Sequence, residues 1–455
     1  MNRRGILTLV TCVLASSLAF IDSSVVNVGL PAIGRSLDAD HAGLQWLIGG
    51  YLLPLSALLL LGGSLGDRFG RRRMLVLGIV LFALASVVCG LAPNLQTLIA
   101  ARFAQGIGAA FLMPNSLAIL GVTFEGERRG RAIGIWAAAG AATGAGGPIL
   151  GGWLIDSFSW RMIFFINIPL ASAAIYLALR NVQPDPLRVG GISLDWPGAL
   201  LATVGLGAVT WALIGVTGPE GWTTEGVIGL LLGTLLLLLF VVCERRKGEA
   251  AMMPLTLFGS SDFVGLTLLT FLLYGALGCL LVLLPYVLIV AGGYSSTQAG
   301  AALLPLPLLL AVVSPWLGGL AGRFGTRLFL IIGPSVVAAG FLLMLRIGAD
   351  VGYWTQVLPA LGMIALGMSF TVAPLTTAIF ASVDKKHTGS ASGLNNAIAR
   401  TGGLVGTALL GQVLAYQGAS LTRAFHGAVM VAACVCLVAG ACALLVHSDS
   451  GRRPG

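Results

Sequence analysis

Fourteen apolar runs, each long enough to cross a bilayer as a helix, leave this chain few folds to choose from. They lie at about 6–30, 43–66, 74–93, 96–123, 131–156, 160–180, 196–217, 223–243, 263–291, 298–321, 327–347, 354–380, 391–416 and 424–447. A helical span needs about 20 apolar residues. Inside hydrocarbon the backbone must satisfy its own hydrogen bonds, which helices do within a single segment. The expected class is therefore an all-α polytopic membrane protein. Composition agrees, with 57% hydrophobic and 9% charged residues, where a soluble domain carries about 25% charged. Arg3 and Arg4 precede the first run as in a signal peptide. That run is too long and lacks a small-residue cleavage site, so it reads as a retained first span. The seven cysteines fall in or at the ends of apolar runs, without zinc or disulfide spacing, and read as small buried hydrophobes.

Charge orients the spans. Arg3/Arg4, Arg68/Arg71/Arg72/Arg73, Arg128/Arg129/Arg131, Arg180/Arg188, Arg245/Arg246/Lys247, Arg323/Arg327, Lys385/Lys386 and Arg452/Arg453 fall on the face of the N-terminus. Arg35, Arg161, Arg346 and Arg423 fall on the other. Cytoplasmic loops accumulate Arg and Lys, which places both termini in the cytoplasm and requires an even number of spans. The net charge of +9 is then a topological signal and calls for no nucleic-acid partner.

A weak internal repeat points to two bundles. Residues 62–78 read GGSLGDRFGRRRMLVLG, and residues 318–333 read GGLAGRFGTRLFLIIG. Each ends an even-numbered span, crosses a short basic loop and starts the next. The second copy has no counterpart of Asp67. The expected organisation is a six-helix bundle over 1–180, a linker with inserted spans 7 and 8 over 181–262, a second six-helix bundle over 263–447, and a cytoplasmic tail over 448–455.

Four stretches carry candidate chemistry. Phe20–Leu30 puts Asp22 inside the first span, where a charge costs several kcal/mol unless it has a partner or a water-filled cavity. The competing reading is an Asp near a helix end, reaching back to water. In the fourth span Arg102, Gln105 and Gly108 recur one turn apart, as on a cavity wall, although Arg102 alone could snorkel outward. Gly144, Gly147, Pro148, Gly151 and Gly152 mark the fifth span, where small residues permit close helix approach and proline removes a backbone donor. Ordinary membrane packing is the alternative there. The loop between spans 2 and 3 holds Gly66, Asp67, Arg68, Gly70, Arg71 and Arg72; a plain positive turn is its alternative.

With these motifs in view, the chain resembles the major facilitator superfamily, and within it the fourteen-helix drug:proton antiporters, over nearly its whole length. The resemblance implies a major facilitator fold of 14 transmembrane helices, two six-helix bundles plus an inserted helix pair. It implies that the Gly62–Arg73 loop latches the cytoplasmic gate through Asp67, and that Arg102 takes part in proton coupling. It further implies that GPxxGG marks exchange rather than symport, and that Asp22 is a proton- or substrate-coupling residue. Spans 1 and 4 both line the central cavity in that fold, so Asp22 and Arg102 are expected neighbours.

Among the acidic residues only Asp22 is expected deep in a span, which limits the simplest cycle to one proton. No span of the second half holds a deep acid, so the expected substrates are neutral, zwitterionic or monocationic amphiphiles. Candidate cavity residues are Asn27, Gln105, Met113, Asn115, Trp136, Tyr274, Tyr286, Asn395 and Asn396, whose aromatic, thioether and amide groups suit varied apolar ligands. For each, packing against a neighbouring helix is the alternative. Arg400 either meets an anionic group on a substrate or is neutralised by a helix C-terminus. No nucleotide-binding loop, HExxH or CxxC pair occurs. The expectation is a transporter and not an enzyme, with no cofactor or metal, whose partners are a small-molecule amphiphilic substrate, protons and the lipid bilayer, and which works as a monomer. The Arg-over-Lys bias and Gly and Ala richness hint at a GC-rich bacterium, hence a bacterial cell membrane. The rival functions are a metabolite symporter or facilitator, and a non-transporting membrane sensor.

Overall fold

The computed structural model of the chain describes residues 3–184, 195–217, 221–248, 251, 253, 255–348, 351–383, 388–416 and 418–447. The expected tail, the linker stretch 185–194 and Lys385, Lys386 and His387 lie outside them. The described residues form helices and connecting turns, with no strand.

Two compact units emerge, one of Met1–Met252 with Ser295–Gly300, the other of Met253–Tyr294 with Ala301–Gly455. The first contains α1 (Arg3–Leu37), α2 (His41–Phe69), α3 (Arg71–Leu91), α4 (Leu95–Thr123), α5 (Gly126–Ser157), α6 (Met162–Phe165), α7 (Asn167–Asn181), α8 (Trp196–Val216) and α9 (Thr224–Lys247). Polar caps fix several starts. Asp40 accepts from the Gly43 amide at 2.7 Å and Asn94 from that of Thr97 at 2.9 Å, satisfying donors that a helix leaves open. The α8–α9 pair belongs to this unit, with Ala199 of α8 packed on Leu61 and Leu65 of α2.

Glycines set the spacing around α4. A Cβ at Gly62 would lie 2.1 Å from the Ala110 carbonyl oxygen, and one at Gly106 would lie 2.4 Å from that of Tyr51. Gly78 and Gly108 face one another's backbones in the same way, each Cβ 2.8 Å from the other's carbonyl oxygen. α4 is thereby wedged against both α2 and α3 at backbone distance, the close approach that small residues allow. This wedge brings the polar face of α4 to α1.

The second unit holds α10 (Ser261–Val290), the last two residues of α11 (Ser296–Ala302), α12 (Pro305–Phe324), α13 (Thr326–Leu343), α14 (Leu358–Ala381), α15 (Thr388–Ala408), α16 (Gly411–Ala415) and α17 (Gly418–Cys442). The repeat seen in sequence has a backbone counterpart. Gly70 alone separates α2 from α3 at φ 97°, and Gly325 alone separates α12 from α13 at φ 87°. Both adopt a conformation closed to other residues, so one glycine-centred corner is built once in each unit.

Thirteen described helical stretches are long and apolar enough to cross a membrane. They coincide with thirteen of the fourteen expected runs. The remaining run, 391–416, is interrupted between α15 and α16. Asn395, Asn396, Arg400 and several glycines leave the 21-residue α15 too polar to qualify by composition.

Candidate functional site

A buried polar cluster of the first unit centres on Asp22. Nineteen residues into α1, its side chain is 1% exposed and forms an ion pair with Arg102 of α4, itself 1% exposed. The pair joins Asp22 Oδ2 to Arg102 Nη1. Two amides complete the carboxylate's shell. Gln105 Nε2 donates to Oδ1 at 3.1 Å and Asn167 Nδ2 donates to the same oxygen at 3.2 Å. Every hydrogen-bond partner of this buried carboxylate is a donor, so each bond to its ionised form is charge-assisted.

Arg102 is equally well held. Nη1 donates to Gln105 Oε1 at 2.9 Å and Nε to the Leu47 carbonyl at 3.2 Å. Its guanidinium lies 4.4 Å from the Tyr51 ring centre and 5.9 Å from that of Phe164. Stacking of this kind stabilises a desolvated guanidinium by about 2 kcal/mol. Tyr51 is fixed in turn by its hydroxyl, which donates to the Ala19 carbonyl at 3.3 Å. Around the rim, Ser86 of α3 accepts from Gln105 Nε2 at 2.7 Å and from Asn167 Nδ2 at 3.3 Å. The Cys89 thiol donates to Gln105 Oε1 at 3.3 Å. Five spans thus contribute to one network, and neither Asp22 nor Arg102 reaches out to solvent.

Sequence reasoning singled out Asp22, Arg102 and Gln105 and missed Asn167, Ser86, Cys89 and Tyr51. The only local signal for Asn167 is its place two residues before Pro169, in INIP, within an apolar run.

The glycine motif of α5 faces the same stretch of α1. A Cβ at Gly147 would sit 2.1 Å from Ser24 Oγ, and one at Gly151 would sit 2.5 Å from Val25 Cγ1. Gly152 packs as closely on Ser296 and Thr297, while Gly144 has nothing within 4 Å. Pro148 lies inside α5. At the basic corner between α2 and α3, Arg71 Nη2 pairs with Asp67 Oδ1 at 2.7 Å and Arg72 donates to the Leu179 carbonyl at 2.6 Å. Arg68 lies over the Phe69 ring, and Gly66 abuts Asn115.

The remaining candidates separate by environment. Asn115 is fully buried, and its Nδ2 donates to the Gly62 and Phe111 carbonyls at 2.9 and 2.7 Å, fastening α4 to α2. Trp136 is half-buried, donates from Nε1 to Ser16 Oγ at 2.8 Å and meets Phe20 edge-on. Asn27 is half-buried and Met113 buried. In the second unit, Tyr286 donates to the Leu414 carbonyl at 3.2 Å and Asn395 Oδ1 accepts from Thr270 at 2.8 Å. Asn396 is exposed and donates to the Ser392 carbonyl, and Arg400 lies within electrostatic reach of the Tyr274 hydroxyl. The acid inventory needs one amendment. Asp195 and Glu244 are also buried, at the start of α8 and the last turns of α9, with Asp195 paired to Lys247. No group of three or more metal-ligating side chains occurs among the described residues.

Residues 12–242 and 266–455 match the family model of the Major Facilitator Superfamily. The chain is 35% identical to the multidrug resistance protein Stp of Mycobacterium tuberculosis, over 91% of this chain and 77% of that one. It is 34% identical to a methylenomycin A resistance protein of Bacillus subtilis, over 93% and 92%. It is 36% identical to the cephamycin export protein CmcT of Amycolatopsis lactamdurans, over 88% and 83%. Among solved structures, a peptide transporter POT in complex with sulfate superposes with a TM-score of 0.70 at 15% identity, covering 97% of this chain and 94% of the other. A bacterial homologue of the lysosomal transporter Spinster gives 0.67 at 15% identity, covering 98% and 97%. The latter two likenesses establish the fold. Together with the family match they identify a multi-pass membrane transporter rather than an enzyme: the chain belongs to the Major Facilitator Superfamily, among relatives that confer drug and antibiotic resistance.

Proposed function

We propose that this protein exports amphiphilic drugs or antibiotics in exchange for protons, by alternating access, with Asp22 as the proton carrier. The observation that carries this reading is the solvent-excluded pairing of Asp22 with Arg102. A charged pair at that depth is expensive to bury and is expected where function requires it. The relatives named for resistance and export supply the direction of transport and the drug-like substrate class.

The cycle follows from what each group can do. Proton uptake from outside neutralises Asp22 and weakens its hold on Arg102. The guanidinium keeps the Gln105 and Leu47 oxygens and the Tyr51 face, so it is not left bare. Proton release inward restores the pair, and drug binding and protonation exclude each other at or through Asp22. Alternating access needs only that the two loaded states favour opposite gates. Asp67 in the last turn of α2, paired with Arg71 at the start of α3, serves the cytoplasmic gate. Gly147 and Gly151 let α5 follow α1 closely while the site changes access. Candidate substrate contacts are Asn27, Met113 and Trp136 in one unit and Tyr274, Tyr286, Asn395, Asn396 and Arg400 in the other. Neutral, zwitterionic or monocationic amphiphiles suit a site with one exchangeable carboxylate. The full topology is fourteen spans with both termini in the cytoplasm, in a bacterial cell membrane, and a monomer suffices.

The test uses everted membrane vesicles carrying an imposed proton gradient, challenged with a panel that includes puromycin and ethidium. A compound that collapses the gradient with the parent protein and not with Asp22→Asn is the expected result. Coupling that survives in Asp22→Asn places the carrier elsewhere. A parent that moves no proton with any compound removes the antiport reading.

A further inference from the structure

Asn167 is fully buried, and its Oδ1 has no hydrogen-bond partner, whereas its Nδ2 donates to Asp22 and to Ser86. A buried amide oxygen left unpaired carries a desolvation cost that folding normally avoids. It lies on one of the two amides that donate to Oδ1, the carboxylate oxygen that Arg102 does not hold; the other is Gln105. We infer that Asn167 is a positioning residue for Asp22 protonation: its amide nitrogen holds the ionised carboxylate, and its amide oxygen receives the acid O–H once the carboxyl is protonated. This inference rests on the proposed role of Asp22 as proton carrier.

The need for such a partner follows from the donor count. Around ionised Asp22 every neighbour is a donor: Arg102 Nη1 on one oxygen, Gln105 Nε2 and Asn167 Nδ2 on the other. A proton arriving on Oδ1 forms one O–H bond and turns that oxygen from acceptor into donor. It then faces two N–H groups and no acceptor. A half-turn of the Asn167 amide exchanges its nitrogen and oxygen, removes one opposed donor and supplies the missing acceptor. No proton passes to Asn167; the same O–H breaks when Asp22 releases it. Gln105 cannot make this turn at no cost, because its Oε1 already accepts from Arg102 and Cys89. Ser86 can adjust, since its hydroxyl now donates to the Phe82 carbonyl at 2.8 Å and rotates freely about its C–O bond.

Local backbone favours this mobility. α6 ends at Phe165 and α7 begins at Asn167, and Pro169 offers no N–H to the Phe165 carbonyl. Asn167 therefore sits at a loosened point of the sixth span. The titratable or charged side chains that face it or the network are Asp22 from α1, Tyr51 from α2, Cys89 from α3 and Arg102 from α4.

Infrared difference spectra of the reconstituted protein, taken between acid and alkaline pH, test the inference without a drug. The carbonyl band of protonated Asp22 is identified by its loss in Asp22→Asn. In Asn167→Leu, near in shape and without an acceptor, that band should move to higher wavenumber, toward that of an unbonded acid. Asn167→Thr, whose hydroxyl both donates and accepts, should bring it part of the way back. In the unsubstituted protein with carbonyl-labelled asparagine, the same pH step should shift an amide band that is missing from Asn167→Leu, which holds even if that variant folds poorly. An Asp22 band unmoved by Asn167→Leu, or no amide shift in the labelled protein, overturns the switch while leaving Asp22 as carrier. No band lost in Asp22→Asn overturns the proton reading itself.

Discussion

Arg102→Met isolates what the ion pair does for the fold. The substitution keeps most of the side-chain volume and deletes the charge. Asp22 then retains two neutral amide donors, Gln105 Nε2 at 3.1 Å and Asn167 Nδ2 at 3.2 Å, and no counter-charge. Removing one partner of a buried pair typically costs 3–5 kcal/mol, about the range expected here. The loss of Arg102's bonds to Gln105 Oε1 and the Leu47 carbonyl falls within that figure. Asp22→Asn is milder, about 1.5–3 kcal/mol, because the amide oxygen still accepts from Arg102 and the guanidinium stays stacked on Tyr51. The double variant has no buried charge at all. It should be less destabilised than the sum of the two single variants, with a coupling of about 1–3 kcal/mol. Equilibrium unfolding in mixed micelles of mild detergent and SDS, followed by tryptophan fluorescence, measures all four proteins. Strictly additive costs would show that the two side chains do not interact in the folded protein, and would refute the argument from burial.

Three further outcomes follow from glycine geometry. Gly147→Ala and Gly151→Ala force a methyl into Ser24 Oγ and Val25, and each should cost about 1–3 kcal/mol in detergent unfolding assays. Gly144→Ala, with nothing within 4 Å, should be neutral to within about 0.5 kcal/mol. Gly70→Ala and Gly325→Ala strain the two equivalent corners at φ 97° and 87°. Each should cost about 1–3 kcal/mol by the same assay, and a corner that tolerates alanine contradicts the assigned backbone.

How much was legible in the sequence depends on the kind of residue. A carboxylate or guanidinium in an apolar run stands out because hydrocarbon makes it costly, so Asp22 and Arg102 were visible from composition alone. Gln105 followed by helical spacing from Arg102. Asn167 did not, since it reaches Asp22 across 145 residues and a neutral amide is cheap enough to occur in spans for many reasons. Asn115 shows the converse: read as a cavity amide, it fastens α2 to α4 through carbonyls that no sequence pattern displays. The repeat of RFG corners was legible because positive φ demands glycine there. The run at 391–416 was legible as apolar, yet its amides and Arg400 weaken it, and the helix breaks before the run ends.

The separation of the ionic partners along the chain has a consequence for synthesis. Arg102 follows Asp22 by 80 residues and Asn167 follows it by 145. At about 5–20 residues per second, roughly 4–16 s pass before the ribosome has added Arg102, and longer before the sixth span arrives. During that interval the first span enters the bilayer with an unneutralised acid, a burden of about 2.5–3.5 kcal/mol on translocon scales. The nascent chain is therefore most weakly inserted early, and a ribosome stalled between the second and fourth spans would leave the intermediate most exposed to membrane proteases.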